Sequence, residues 1–295
     1  MSEPTVIDVQ PTSTTEAPIA VALGGGAARG LAHVPMIEAF DELGIRPSFI
    51  AGTSMGAIVG ACWASGMRGV DLRAFALELF EGRTQVLKRI VGNWPGRFSD
   101  LMNPMTPALV NAESLIEVLL PPDVPKQFEA LAIPFAAVAT DFSNGERFIM
   151  ETGPLVSAIA GSSAIPALLK PVERDDRILI DGGIVDPTPF EIAMDRAPFS
   201  VAVDVTGVPS RSEKTIPSSV ETVVGSTMIM LNTVMREKLQ NRRPDVLILP
   251  EVGQFRATQF FRCAEILKAA DAAKDELKRA LEARMEATGT PTTAH

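Results

Sequence analysis

The chain has 295 residues, 46% of them hydrophobic, and carries a net charge of −9. This length suffices for one large domain or two modest ones, and the apolar content for a substantial core, which excludes an intrinsically disordered protein. The negative charge argues against an extended nucleic-acid surface. Aromatic residues make up only 5% of the chain, with no tyrosine, so a stacking platform for bases is not expected either.

The two ends of the chain have the composition of disordered tails. Residues 1–17 and 288–295 are rich in small polar residues and show no hydrophobic periodicity. The start lacks the basic region and apolar run of a signal peptide, and no stretch approaches the roughly 18 apolar residues of a membrane-spanning helix. Cys62 and Cys263 stand far apart in apolar contexts, which is typical of buried thiols in a reducing compartment. We therefore expect a soluble cytoplasmic protein, with peripheral contact to a membrane surface left open.

The first elements alternate between strands and helices. Residues 19–26 predict a buried strand that runs into a glycine turn, and residues 29–44 predict a helix. A second short strand, 48–52, leads into a helix of small residues that ends at Gly66. Strand, tight turn and helix thus occur twice, which indicates parallel strands joined by crossover helices.

The middle of the chain changes in character before the alternation resumes. Residues 70–125 combine an amphipathic stretch, a segment rich in Pro, Gly and Met, and a helix over 111–120, and we interpret them as a helical insert that forms either a cap or a packing subdomain. Together with the later elements they predict one α/β domain over residues 18–287, with a mostly parallel or mixed central sheet. The later predicted strands are 133–142, 146–151, 177–183, 199–206 and 245–251, and the helices are 154–162, 189–196, 218–240 and 258–287.

Ser54 lies in the pentapeptide GTSMG, between a predicted strand and a predicted helix. Flanking glycines permit the sharp strand-to-helix turn that presents a nucleophilic serine, and the helix N-terminus favours negative charge beside it. The alternative is a glycine-lined turn with an incidental serine.

The segment LGGGAARG, Gly24 to Gly30, places successive glycines after the first strand. Converging backbone N–H groups of such a turn hold a phosphate or the oxyanion of an acyl intermediate, and Arg29 adds positive charge. The spacing fits neither a dinucleotide-binding fingerprint nor a P-loop. The alternative is again a purely structural turn.

Asp181 stands where an apolar strand runs into DGG, so its carboxylate is expected at the ligand-binding edge of the sheet. A hydrolase triad would place a histidine after this acid, yet only His295 follows it, in a predicted tail. His33 precedes both other residues, and we assign it to packing or a structural hydrogen bond. What remains is a dyad in which Ser54 is the nucleophile and a carboxylate is its base.

The glycine turn Gly24 to Gly30, the pentapeptide GTSMG at Ser54 and the DGG segment at Asp181 follow one another along the chain in this order. Together they resemble the patatin-like phospholipase family. The similarity extends over residues 19–285 and includes the segments IPFAAVATDFSNGE, AIAGSSAIPALLKPV and PDVLILPEVGQF. Bacterial single-domain members with GAARG in the glycine turn are the most similar. The resemblance implies a three-layer α/β/α fold and a serine-dependent lipid acyl hydrolase that needs no cofactor.

The resemblance also implies the role of individual residues. Ser54 corresponds to the nucleophile and Asp181 to the base of the dyad. The oxyanion donors correspond to the backbone of Gly25, Gly26 and Ala27, with Arg29 at the family's basic position, as substrate-binding or electrostatic support.

Two positions depart from the family's pattern. Many members have glycine where this chain has Ala27, so a methyl group is expected to narrow the site or to strain the peptide. The family often has asparagine at the position of Asp186, and a second carboxylate there is expected to raise the pKa of Asp181 by repulsion.

Other functions remain as alternatives. They are a non-catalytic regulator that binds lipid or protein on the same fold, and an acyltransferase. Ser162 and Ser163 are interpreted as helix-end and turn residues that line the site. Met228, Met230 and Met235 form an apolar stripe, interpreted as core, with acyl-chain or membrane contact as the alternative. Two histidines and two distant cysteines predict no transition-metal site.

Overall fold

A computed structural model describes residues 18–81, 110–207 and 219–288. The predicted N-terminal tail, residues 289–295 of the predicted C-terminal tail and the centre of the predicted insert lie outside the described residues, whereas Thr288 is the last residue of a helix. The strands are β1 Ile19–Leu23, β2 Phe49–Thr53, β3 Phe135–Asp141, β4 Arg147–Met150, β5 Val172–Arg174, β6 Arg177–Asp181, β7 Phe199–Val203 and β8 Val246–Ile248. The α-helices are α1 His33–Glu42, α2 Met55–Ala64, α3 Gly69–Glu81, α4 Ala112–Leu119, α5 Leu155–Ser162, α6 Phe190–Arg196, α7 Ser219–Asn241, α8 Cys263–Ala269 and α9 Asp271–Thr288.

The strands form one mixed sheet in the order β5-β6-β3-β2-β1-β7-β8, with β4 paired to β3. The five strands β3, β2, β1, β7 and β8 run parallel to one another, while β4, β5 and β6 are joined by antiparallel pairings. This arrangement confirms the predicted α/β class and the mostly parallel or mixed sheet.

Alternation along the strands divides the core into two layers. In β1, Val21 and Leu23 pack into the larger cluster with α1 and α2, whereas Ala20 and Ala22 face the smaller cluster beside α6 and α7. Side chains of a strand point alternately to opposite faces, so a strand covered on both faces reads as an uninterrupted apolar run. The helices on both faces give the three-layer α/β/α architecture.

The register of β3 brings two strand ends together. Ala137 pairs with Gly52 on one edge and with Met150 of β4 on the other. Because β4 occupies that second edge of β3, β6 pairs with β3 on the same edge as β2 does. There Asp181 of β6 lies opposite Ala139 of β3. The carboxyl ends of β2 and β6 therefore meet head to head, although they lie far apart in the sequence.

Two elements differ from the sequence prediction. The three-residue strand β5 was not predicted, because so short a segment shows no periodicity. The single helix predicted over 258–287 is divided into a 3₁₀ turn, Phe260–Arg262, and the helices α8 and α9. The second division falls just before Asp271, whose negative charge suits a helix N-terminus. Within the described ranges, no helix has the length and apolar character needed to span a bilayer.

Candidate active site

Ser54 occupies a strained turn between β2 and α2. Its φ of 53° and ψ of −120° are rare for a residue with a side chain, and such a conformation costs about 1–3 kcal/mol. The turn is tight because α2 passes close to β1: a Cβ at Gly56 would lie 2.1 Å from the Leu23 carbonyl oxygen. The turn therefore holds the Ser54 side chain beyond the end of the sheet, as the GTSMG motif predicts.

The Ser54 hydroxyl donates a hydrogen bond to Asp181. The Oγ–Oδ2 distance is 2.8 Å, and both residues are buried. The other carboxylate oxygen, Oδ1, accepts the Gly183 N–H at 2.8 Å, and the Asp181 carbonyl accepts the Thr140 hydroxyl. The carboxylate is thus fixed from two sides, with one oxygen on the serine.

Burial raises the pKa of Asp181 to about 6, although the hydrogen bonds from Gly183 and Ser54 act in the opposite direction. The predicted repulsion from Asp186 is not a cause of this shift. Asp186 is itself buried and forms ion pairs with Arg147, at 2.8 Å, and with Lys238. Its charge is compensated, so the expectation that Asp186 raises the Asp181 pKa is wrong.

Replacing Asp181 by asparagine is expected to stabilise the fold at neutral pH. The pKa of Asp181 is higher in the folded state than in the unfolded chain, so the folded state favours the protonated carboxyl. Its contribution to the free energy of unfolding is therefore complete below about pH 4 and is lost as the pH rises to about 6. The variant escapes this loss, so its free energy of unfolding should exceed that of the wild type by about 3 kcal/mol at pH 8 and match it near pH 4. Urea unfolding at both pH values measures the difference. An equal difference at the two values would contradict the burial argument.

In the glycine turn, which lines the same cavity as Ser54, two of the three predicted backbone donors are without a hydrogen-bond partner among the described residues. The Gly25 N–H donates to the Pro187 carbonyl at 2.8 Å, which corrects its assignment as an oxyanion donor. Gly25 instead provides space, because a Cβ there would lie 3.3 Å from the Ser54 Cβ. Within the described part of the chain, no hydrogen bond occupies the N–H groups of Gly26 and Ala27. These two groups are the remaining candidates for binding an oxyanion.

Ala27 adopts the conformation that glycine would take without strain. Its φ of 49° lies in the left-handed region, which costs an L-residue roughly 1–2 kcal/mol. The backbone strain that we expected from an alanine at a position where many family members have glycine is therefore present. The residue still lines the same cavity as Ser54 and Asp181, so the methyl group does not displace the turn from the site.

Arg29 faces away from the serine. Its guanidinium donates to the carbonyl groups of Thr206, Gly253 and Phe255, with 2.7 Å from Nε to the Phe255 oxygen, and burial lowers its pKa. It therefore joins the glycine turn to the loops after β7 and β8. A direct contact with substrate, one of its predicted roles, does not fit this orientation, and electrostatic support stays a prediction.

His33 forms a structural hydrogen bond, as predicted. Its ring is fully buried, and Nε2 lies 2.7 Å from the Gly24 carbonyl oxygen. Burial lowers its pKa to about 4, so the ring is neutral at pH 7 and Nε2–H is the donor. His33 thus braces the glycine turn from behind.

Ser162 has a positioning role that the sequence did not reveal. Its hydroxyl accepts the Ser54 N–H at 3.0 Å and donates to the Val138 carbonyl at 2.5 Å. It links the turn at Ser54 to β3. A serine at the end of a helix is common, and only the fold shows that this one reaches Ser54.

Helix α7 covers the site. Thr227, Met228 and Leu231 of this helix, together with Ile165, complete the lining of a cavity that also includes Ser54, Asp181 and the glycine turn. Its volume is about 10 Å³, the minimum that one water molecule needs. Of the predicted methionine stripe, Met228 and Met235 are buried as expected for core residues, whereas Met230 is 55% exposed.

Both cysteines are buried free thiols, and burial raises each pKa to about 12. They are therefore packing residues, as predicted. In the described ranges, no group of three His, Cys, Asp or Glu side chains lies close enough to hold a metal ion.

Comparisons with known proteins place this arrangement in a sequence family. Residues 21–194 match the patatin-like phospholipase family. An NTE family protein of Mycobacterium tuberculosis is 37% identical over 210 residues, which cover 70% of this chain and 54% of that protein. The human patatin-like phospholipase domain-containing protein 6 is 29% identical over 193 residues, 63% of this chain and 13% of its own length. The chain spans about half the length of the mycobacterial relative.

Among solved structures, this chain is similar to VipD from Legionella pneumophila, with a TM-score of 0.50 and 16% sequence identity. The similar region covers 90% of this chain and 67% of the VipD chain. At this identity the likeness concerns the fold alone.

Proposed function

Because the chain belongs to the patatin-like phospholipase family, we propose that it is a serine-dependent lipid acyl hydrolase in which Ser54 and Asp181 form the catalytic dyad. The observation that carries the proposal is the 2.8 Å hydrogen bond between the Ser54 hydroxyl and the Asp181 carboxylate, at a strained turn and beside two open backbone donors. Serine activated directly by a carboxylate needs no histidine.

The geometry supports a two-step reaction. As the Ser54 Oγ attacks the carbonyl carbon of an ester, its proton passes to Asp181 Oδ2, and Asp181 then gives this proton to the leaving alcohol. In the second step Asp181 takes a proton from the water that attacks the acyl carbon and passes it to Ser54 Oγ as the bond between that carbon and Oγ breaks, which releases the carboxylic acid and restores the serine. A pKa of about 6 leaves Asp181 largely ionised at neutral pH, yet makes it a stronger base than an ordinary aspartate.

The negative charge that develops on the carbonyl oxygen needs donors. We assign this role to the N–H groups of Gly26 and Ala27, assisted by the N-terminus of α2. One such donor is typically worth roughly 3 kcal/mol of transition-state stabilisation. A cavity of about 10 Å³ cannot hold an ester, so substrate entry requires the α7 side chains above Ser54 to move.

A fluorophosphonate probe tests the proposal directly. Such reagents phosphylate activated serines, so we expect covalent labelling at Ser54, located by peptide mass spectrometry, and its loss in Ser54→Ala. This outcome also separates the hydrolase from a non-catalytic regulator of the same fold. Failure of the wild type to react, or labelling at another serine, would refute the proposed nucleophile.

A further inference from the structure

An open cleft lies at the end of the sheet opposite Ser54. Ser54 follows the carboxyl end of β2, whereas the cleft is formed by the segments that precede β2 and β3 and by the C-terminal ends of α1 and α2. Its volume is about 280 Å³, which gives room for roughly twenty water-sized groups. The cleft is therefore separate from the candidate active site and large enough for a small organic molecule.

Arg46 brings to this cleft a positive charge that no ion pair compensates. Its guanidinium donates to the Ala132 carbonyl, and no acidic side chain among the described residues pairs with it. Arg68, which also lines the cleft, differs because it pairs with Asp71 at 3.3 Å. A guanidinium carries five N–H donors in a planar fork, so most donors of Arg46 are available to an anionic group in the cleft.

Asp41 and Trp63 add an acceptor and a donor to the same wall. Asp41 Oδ2 accepts the Gly69 N–H at 2.6 Å, while no group in the described part of the chain donates to Oδ1. Trp63 is 4% exposed, and its indole N–H has no hydrogen-bond partner within the described ranges. Buried tryptophan N–H groups usually find such a partner. The cleft thus offers a negative charge, a positive charge and a neutral donor together.

We propose that the cleft binds a free α-amino acid with an apolar side chain. The ligand carboxylate pairs with Arg46 and accepts from the Trp63 N–H, its ammonium group donates to Asp41 Oδ1, and its side chain lies against Met67 and Ile133. A simple anion leaves Asp41 unpaired, and a simple amine leaves Arg46 unpaired. A nucleotide finds no stacking surface, because the Trp63 ring is almost completely buried. The inference does not depend on the reaction at Ser54.

Isothermal titration calorimetry with L-leucine tests the proposal on the full chain. Two analogues separate the charges, since 3-methylbutylamine lacks the carboxylate of leucine and 4-methylpentanoate lacks its ammonium group. We expect leucine to bind roughly tenfold more tightly than either, because each analogue loses a charge-assisted hydrogen bond. Equal affinity for the three compounds, or no binding heat at about 10 mM leucine, would overturn the proposal. Tighter binding of phosphoethanolamine than of leucine would overturn the amino-acid class.

Two variants assign the charges of the ligand to residues. In Arg46→Met, leucine should bind roughly tenfold more weakly and no better than 3-methylbutylamine. Asp41→Asn keeps an oxygen for the Gly69 N–H, and in this variant leucine should bind no better than 4-methylpentanoate. Arg243→Met is the matched control, because Arg243 is also exposed, donates to a backbone carbonyl, that of Leu239, and lies outside the cleft. Unchanged leucine affinity in either cleft variant, or an equal loss in the control, contradicts the assignment.

Discussion

Hydrolysis of p-nitrophenyl butyrate is expected to fall to the solution background in Ser54→Ala, and by roughly 10²–10⁴-fold in Asp181→Asn. In the proposed mechanism the serine supplies the nucleophile and the aspartate accepts its proton across the 2.8 Å hydrogen bond, so the two residues act as a unit. The double variant should therefore lose no more activity than Ser54→Ala alone. Values of kcat/KM for the four proteins measure this non-additivity.

Ser163 provides the matched control for the loss of a buried hydroxyl. It lies close to the site, and its Oγ has no hydrogen-bond partner among the described residues. Ser163→Ala should keep activity within about twofold. For the wild type, kcat/KM should decline below about pH 6, where Asp181 becomes protonated. Full activity in both Ser54→Ala and Asp181→Asn would exclude the dyad.

The fold and the two central residues of the site were predictable because their signals are local. Continuous apolar runs mark strands that are covered on both faces, and the glycines around Ser54 mark a sharp turn. The absence of a histidine after Asp181 indicated that a carboxylate is the base, and the resemblance to the family implied that this carboxylate is Asp181. What sequence alone could not supply is the register along β3, which brings the two strand ends into hydrogen-bonding distance.

The remaining site residues were harder to predict because their roles depend on partners that are distant in the sequence. The Gly25 N–H is occupied by the Pro187 carbonyl, which removes one of three predicted donors. The side chain of Arg29 turns to carbonyl groups of loops more than 170 residues away. Ser162 contacts the Ser54 N–H across 108 residues. No spacing rule encodes such contacts, since glycine turns, arginines and helix-end serines occur in many other settings.

The ion pairs around Asp186 are expected to anchor α7 over the site. Lys238 of this helix pairs with Asp186, which is 1% exposed, and lies 3.3 Å from Glu191. Arg147 completes a cluster of two acids and two bases, and Thr53, next to Ser54, donates to the Asp186 carbonyl. Because the buried Asp186 would retain only one cationic partner, Lys238→Met should lower the free energy of unfolding by about 2–4 kcal/mol.

Arg242→Met, at the residue that directly follows α7, is the matched control. Arg242 pairs with Asp195 at 2.9 Å, but both side chains are largely exposed, so breaking this pair should cost at most about 1 kcal/mol. Urea unfolding at pH 7 gives both values. A double variant, Asp186→Asn with Lys238→Met, should recover part of the loss, because it leaves no buried carboxylate short of a partner. Equal losses in Lys238→Met and Arg242→Met would mean that the cluster does not anchor α7, and that the cover over Ser54 depends on the packing of Met228 and Leu231 instead.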